Sequence, residues 1–163
     1  MKQDNKIVFD RNLAMKLIPA IILIAAIYMA FSIRMESAYS PYYPDIDTYY
    51  IFRMSEYVLT NDFHIPGIDT LRYYPTHIDM SSEYLGVYYF PSLAYALLTG
   101  IGLITEEYAH FAWWFPALIG ALSLIPIYFI GKELHNRMAG LFSAFFFAVT
   151  PAILARNSAW YME

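Results

Sequence analysis

The run Leu17-Ile-Pro-Ala-Ile-Ile-Leu-Ile-Ala-Ala-Ile-Tyr-Met-Ala-Phe-Ser-Ile33 contains no charged residue and is bracketed by Lys16 and Arg34. An apolar helix needs about 17–25 residues to cross a bilayer, so residues 17–33 are just sufficient. The preceding residues 1–16 are polar and carry Lys2, Lys6, Arg11 and Lys16. That basic flank predicts a cytoplasmic N-terminus. A cleaved signal peptide would share the basic start, but Tyr28-Met-Ala-Phe-Ser-Ile-Arg34 lacks a clean small-x-small site and the run is long for such a segment. A retained anchor is expected.

Working outward, residues 108–130 and 138–155 are the next strong apolar runs, joined by Gly131-Lys-Glu-Leu-His-Asn-Arg137. The stretch 85–104 is also apolar, but Pro91, Gly100 and Gly102 shorten its helical potential to a turn-limited segment. Charge decides its placement. If 85–104 spans, the basic loop 131–137 faces outward; if it lies on the interface, that loop is cytoplasmic, as basic loops prefer. The expected map is therefore an all-α, polytopic membrane helix bundle. Residues 1–16 are cytoplasmic, 17–33 span, and 34–107 form a long external loop with amphipathic helices. Residues 108–130 span, 131–137 are cytoplasmic, 138–155 span, and 156–163 begin a second external segment. Both external segments then share one face.

Composition agrees with a lipid setting. The chain of 163 residues is 59% hydrophobic and 15% charged, against about 45–50% and roughly 25% in soluble domains. Its 16 tyrosines cluster between the apolar runs, where amphipathic rings favour the membrane–water boundary. The absence of cysteine excludes disulfides, thiolate zinc sites and a thiol nucleophile. A net charge of −4 without a basic patch argues against nucleic acid as a partner. No Walker loop, Gly-x-Ser-x-Gly or His-Glu-x-x-His occurs, which removes the common nucleotide-loop, serine hydrolase and zincin chemistries.

Within the first external loop, Pro41, Pro44, Pro66 and Pro75 punctuate the chain. Residues 47–60 read as an amphipathic helix, with Tyr50, Phe52, Met54, Tyr57 and Val58 apolar and Arg53 and Glu56 charged. Residues 64–84 show no sustained period and are expected to be irregular. Two acid-plus-arginine segments stand out, Asp45-Ile-Asp47-Thr-Tyr-Tyr-Ile-Phe-Arg53 and Arg156-Asn-Ser-Ala-Trp-Tyr-Met-Glu163. Each lies at the exit of a predicted span. Carboxylates are hard donors suited to Mg²⁺ or Mn²⁺. The same acids also serve as helix caps or a solvated chain end, and Arg156 equally suits an interfacial snorkelling role. His77 beside Asp79, and His64 beside Asp62, are either further ligands or ordinary loop polar groups. His110 is expected at the interface, and His135 falls on the cytoplasmic loop, away from any external site.

These features together resemble the N-terminal part of the catalytic subunit of single-subunit oligosaccharyltransferases, archaeal and bacterial, which have the GT-C membrane fold. Asp47-Thr-Tyr-Tyr-Ile-Phe-Arg53 is similar to the family's Asp-x-Tyr-x-x-x-Arg motif after the first helix. Phe90-Pro-Ser-Leu-Ala-Tyr95 resembles its Pro-containing segment before the second helix, and Leu124-Ile-Pro-Ile127 with residues 131–137 resembles its Ile-Pro pair and basic loop. Arg156 and Glu163 stand at the spacing of its arginine-to-acid motif after the third helix. The resemblance covers nearly the whole chain. Glu163 stands where Asp is usual and Trp160 where Gly is usual, and the family's second acid and later domains lie beyond residue 163.

The resemblance implies transfer of a polyprenyl- or dolichyl-linked oligosaccharide to Asn of Asn-x-Ser/Thr in an acceptor polypeptide, with Mn²⁺ or Mg²⁺ as cofactor. It implies Asp47 as metal ligand and acceptor-amide contact, Glu163 as metal ligand, and Arg156 near acceptor or phosphate. Asp45, Arg53 and His77 are supporting or substrate-contact candidates. The enzyme would sit in the cell membrane as a multi-pass protein with its active face outside, and the segment alone would be inactive. Two other readings stand beside it: another GT-C glycosyltransferase, of the protein mannosyltransferase or lipid-A aminoarabinose transferase type, or a non-catalytic membrane assembly subunit.

Overall fold

The computed structural model describes residues 11–36 and 46–154, with side chains from residue 17 onward. Among the described residues, seven α-helices and one minimal hairpin run in order: α1 (Arg11–Met35), α2 (Ile46–Thr60), β1 (Ile68–Asp69), β2 (Ile78–Asp79), α3 (Gly86–Gly100), α4 (Tyr108–Leu122), α5 (Leu124–Leu134), α6 (Arg137–Val149) and α7 (Pro151–Leu154). Two of the described segments are long and apolar enough to cross a bilayer, Leu17–Met35 and Tyr108–Leu134.

Proline chemistry explains where the helices break. Pro126 has no N–H and its ring crowds the carbonyl four residues back, at Leu122. α4 accordingly ends at Leu122, and Ser123 passes the chain to α5 without leaving helical backbone (φ −61°, ψ −16°). The apolar run expected over 108–130 thus continues to Leu134 as two abutting helices. Pro151 acts through its neighbour. A residue before proline avoids the helical region, and Thr150 is extended (φ −66°, ψ 119°). One helix expected over 138–155 is therefore α6, which stops at Val149, followed by the single turn of α7. Asn136 caps the start of α6, its side chain accepting from the Ala139 N–H at 3.0 Å.

α3 tolerates Pro91 in its interior and ends at Gly100, with Gly102 at φ +73° completing the exit. It is longer than the turn-limited segment expected from Pro91 and the glycines. At 15 residues it measures about 22 Å, short of the roughly 30 Å hydrocarbon core. The hairpin falls in residues 64–84, expected to be irregular: Ile68 pairs with Asp79 and Asp69 with Ile78, antiparallel. A two-residue strand is too short to carry an alternating pattern.

Three apolar clusters hold these parts. Ala30 of α1, Ala121 of α4, Leu124 and Tyr128 of α5 and Ala144 and Ala148 of α6 form the first. Ile51, Met54 and Val58 of α2 pack with Met80 and Tyr88 in the second. Tyr108, Phe111, Ala112 and Phe115 form the third, joined by Phe52, Tyr95 and Leu98. α2 therefore rests on the α3–hairpin unit and on the beginning of α4.

Candidate active-site face

Asp47 lies in the first turn of α2, where a carboxylate is favoured by the helix dipole. It is exposed, as is its neighbour Ile46, while Thr48, Ile51, Met54, Ser55 and Val58 face inward. The helix thus turns the acid outward. Asp47 is inside the helix rather than at the cap, and Asp45, the other expected cap, lies outside the described residues.

Arg53 sits six residues on, about 9 Å further along the axis. It does not turn back to Asp47. Its guanidinium donates to the carboxylate of Asp69 on β1. Asp69 is 3% exposed and accepts a second bond from the Leu71 N–H at 3.1 Å. Burial alone would raise this carboxyl, but the Arg53 and Leu71 hydrogen bonds and the charges of Arg53 and Arg72 outweigh it and hold Asp69 below the usual carboxylate range.

Tyr50 extends the attachment. The Arg72 guanidinium lies 3.7 Å from its ring centroid, a close cation–π contact. The Tyr88 hydroxyl of α3, with one proton to share, lies 3.0 Å from the Tyr50 hydroxyl and 3.2 Å from the Glu83 carboxylate, and Arg72 donates to Glu83 at 3.0 Å. Burial first, then the contacts with Tyr50 and Glu83, pushes the Tyr88 hydroxyl far above its ordinary pKa and keeps it a donor. On the other side of α2, Tyr108 at the start of α4 donates to the Ser55 Oγ at 2.6 Å, and Ser92 of α3 donates to the Ser55 carbonyl at 2.7 Å. The start of an apolar span is thereby bonded to the helix that carries Asp47.

His77 belongs to the hairpin. Its Nδ1 donates to the Thr70 carbonyl at 3.1 Å and its ring meets Tyr74 edge-on, so it serves the turn. His110 contacts Glu106 at 2.6 Å, and Trp114 donates to the same carboxylate at 2.6 Å. Among the described residues, no three His, Asp or Glu side chains converge as a metal cage. Asp47 is a hard oxygen donor of the right chemistry for Mg²⁺ or Mn²⁺, which require further ligands. The expected partners Arg156 and Glu163, like Asp45, lie outside the described residues.

The residues that anchor this face, Asp69, Arg72, Glu83, Tyr88 and Ser55, were not legible as site residues. Isolated acids and tyrosines in a loop carry no period or motif. The one available signal was the density of tyrosine itself.

Residues 14–161 match the protein family described as Oligosaccharyl transferase STT3, N-terminal. The chain is 33% identical over 145 residues to "Dolichyl-phosphooligosaccharide-protein glycotransferase 1" of Pyrococcus horikoshii, covering 86% of this chain and 14% of that protein. It is 29% identical over 161 residues to the protein of the same name from Pyrococcus furiosus, covering 96% of this chain and 16% of the relative. "Dolichyl-phosphooligosaccharide-protein glycotransferase 3" of Archaeoglobus fulgidus is 26% identical over 116 residues, covering 69% and 13%. The chain therefore spans a small fraction of the length of the curated relatives it matches.

Proposed function

The chain belongs to the STT3 oligosaccharyl transferase family, and from that premise we propose that it is the opening, membrane-embedded part of a glycotransferase. The reaction moves an oligosaccharide from a polyprenyl or dolichyl carrier to the amide nitrogen of Asn in an Asn-x-Ser/Thr acceptor. The observation that carries the reading is the match itself, which runs through the first acid-plus-arginine segment and into the second, from residue 14 to residue 161. The names of the relatives favour this activity over the mannosyltransferase, aminoarabinose transferase and assembly-subunit readings.

An amide nitrogen is a poor nucleophile because its lone pair is delocalised into the carbonyl. Asp47, exposed at the start of α2, accepts the acceptor's amide N–H and weakens that delocalisation. Asp47 and Glu163 would hold Mn²⁺ or Mg²⁺, which when bound offsets negative charge on the pyrophosphate leaving group. Arg156 neutralises the phosphate or orients the acceptor, and Asp45 assists Asp47. Arg53 supports the site indirectly, because its bond to Asp69 fixes the hairpin against α2. His77 has a structural part in the turn. The reaction takes place on the outer face of a multi-pass membrane protein.

Glycan transfer by the native polypeptide to an Asn-x-Thr peptide, in lipid, tests this. Asp47→Ala is expected to abolish transfer. Near-native transfer removes Asp47 from the chemistry.

A further inference from the structure

Three buried hydroxyls meet where α2 and α3 pack on the start of α4. Ser55 and Ser92 are fully buried and Tyr108 is 8% exposed. Burying a hydroxyl is costly unless its hydrogen bonds are made. The Tyr108 hydroxyl donates to the Ser55 Oγ at 2.6 Å, and that Oγ donates onward to the Phe52 carbonyl at 2.8 Å. The Ser92 hydroxyl, with one proton to share, lies 2.7 Å from the Ser55 carbonyl and 2.7 Å from the Tyr88 carbonyl. Side chains of α3 and α4 thus both close on one residue of α2.

The apolar contacts around these hydroxyls do not set a register. The Tyr108 ring stacks on Phe52 with centroids 5.6 Å apart and planes at 13°, and it meets Tyr95 edge-on at 5.2 Å. Apolar burial is non-directional and follows area, so it holds α2 against α4 without fixing where the ring faces stop sliding. A hydrogen bond weakens steeply with distance and angle. The Tyr108–Ser55 bond therefore selects one position of α2 along the start of α4. Tyr108→Phe keeps the rings, and Ser55 keeps its bond to the Phe52 carbonyl. The directional contact is lost without stranding a buried donor.

What the two helices carry gives this register its meaning. α4 opens the run Tyr108–Leu134, long and apolar enough to cross a bilayer. α2 carries Asp47 on the same continuous helix as Ser55, about 12 Å nearer its start. We propose that Tyr108 is a positioning residue for glycan transfer: through Ser55 its hydroxyl sets where the Asp47 end of α2 stands relative to the α4–α5 run. A donor carried on a lipid presents its pyrophosphate at a height fixed by the bilayer, so an acid that acts there must be held at a matching height. The consequence for the reaction rests on the proposed function; the register of α2 on α4 does not.

The distance is read between nitroxides on Ile46→Cys at the start of α2 and Ile130→Cys on α5, both at exposed positions, in the native polypeptide held in lipid nanodiscs. The polypeptide without these two substitutions, labelled in parallel, gives the background. Tyr108→Phe is expected to shift or broaden the distance distribution. In unlabelled protein it should lower kcat for transfer about tenfold or more while the acceptor KM stays near native. Tyr95→Phe is the control. It removes a hydroxyl of the same aromatic cluster whose bond, to the Glu106 carbonyl at 2.9 Å, does not involve α2, and it should change neither the distance nor kcat. An unchanged distribution, a shifted one with native kcat, or equal effects of the two variants overturns the proposal. Ser55→Ala, which removes the acceptor, decides in the same way if Tyr108→Phe does not fold. If the unsubstituted polypeptide shows no transfer, the reaction reading fails, and the register then stands or falls on the distance alone.

Discussion

Arg53, in the middle of α2, donates its guanidinium to the buried carboxylate of Asp69 on β1. The pair joins a motif arginine to a hairpin that has no motif of its own. It ties the hairpin to the helix that bears Asp47.

That pair predicts an acid-side loss of stability. Asp69 is held below its ordinary value of 3.8 in the folded chain. Its stabilisation is therefore fully present above the unfolded pKa and is lost as pH falls through the lower folded value. Asp69→Asn should remove this part of the acid dependence and cost about 1–3 kcal/mol at neutral pH. Hydrogen exchange at the α2 and hairpin amides between neutral and acidic pH checks it, and identical profiles for native and variant would contradict it.

Tyr88→Phe removes one hydroxyl that serves both Tyr50 and Glu83 while leaving the Arg72–Glu83 bond in place. A loss of about 0.5–1.5 kcal/mol is expected. The effect should be local, with faster proteolysis at residues 64–84 and little change in the α5–α6 region.

Close approach of α5 and α6 predicts a sharp glycine requirement. A Cβ on Gly140 would stand 2.5 Å from the Tyr128 carbonyl oxygen and 3.1 Å from the Lys132 nitrogen, both backbone atoms. Gly140→Ala should cost about 1–3 kcal/mol through forced separation of the helices. Gly86→Ala, with open space around it, should be neutral or slightly stabilising. Thermal unfolding in nanodiscs distinguishes them, and equal midpoints would contradict the packing argument.

Chelation of divalent cations is expected to stop transfer, and Mn²⁺ or Mg²⁺ to restore it. Glu163→Gln removes the anionic oxygen but keeps the length, so it should shift the Mn²⁺ titration upward by about tenfold or more while acceptor binding stays near native. A titration that superimposes on the native curve removes Glu163 from the metal shell.

Much of the architecture was legible in residues 17–33, in the amphipathic stretch 47–60 and in the apolar runs after residue 107, because helical burial repeats every three or four residues and is written locally. The structure starts α2 at Ile46 and ends it at Thr60, in line with that period. The burial stripe was legible only in part, since Met54 and Val58 face inward while Tyr57 is exposed. The acid at Asp47 could be singled out because motif and helix start coincide.

The sequence by itself determined the two long apolar helices, the short amphipathic one, the absence of cysteine from these 163 residues and the family resemblance. Only the tertiary structure decided that Arg53 belongs to Asp69, that Tyr88 closes on Tyr50, and that Arg34 is buried against Ala148 rather than opening a polar loop. The physical reason is range. A helix is specified by neighbours within a turn, whereas these partners lie 16, 38 and 114 residues apart, and a charged or hydroxyl side chain carries no mark of which distant group will satisfy it.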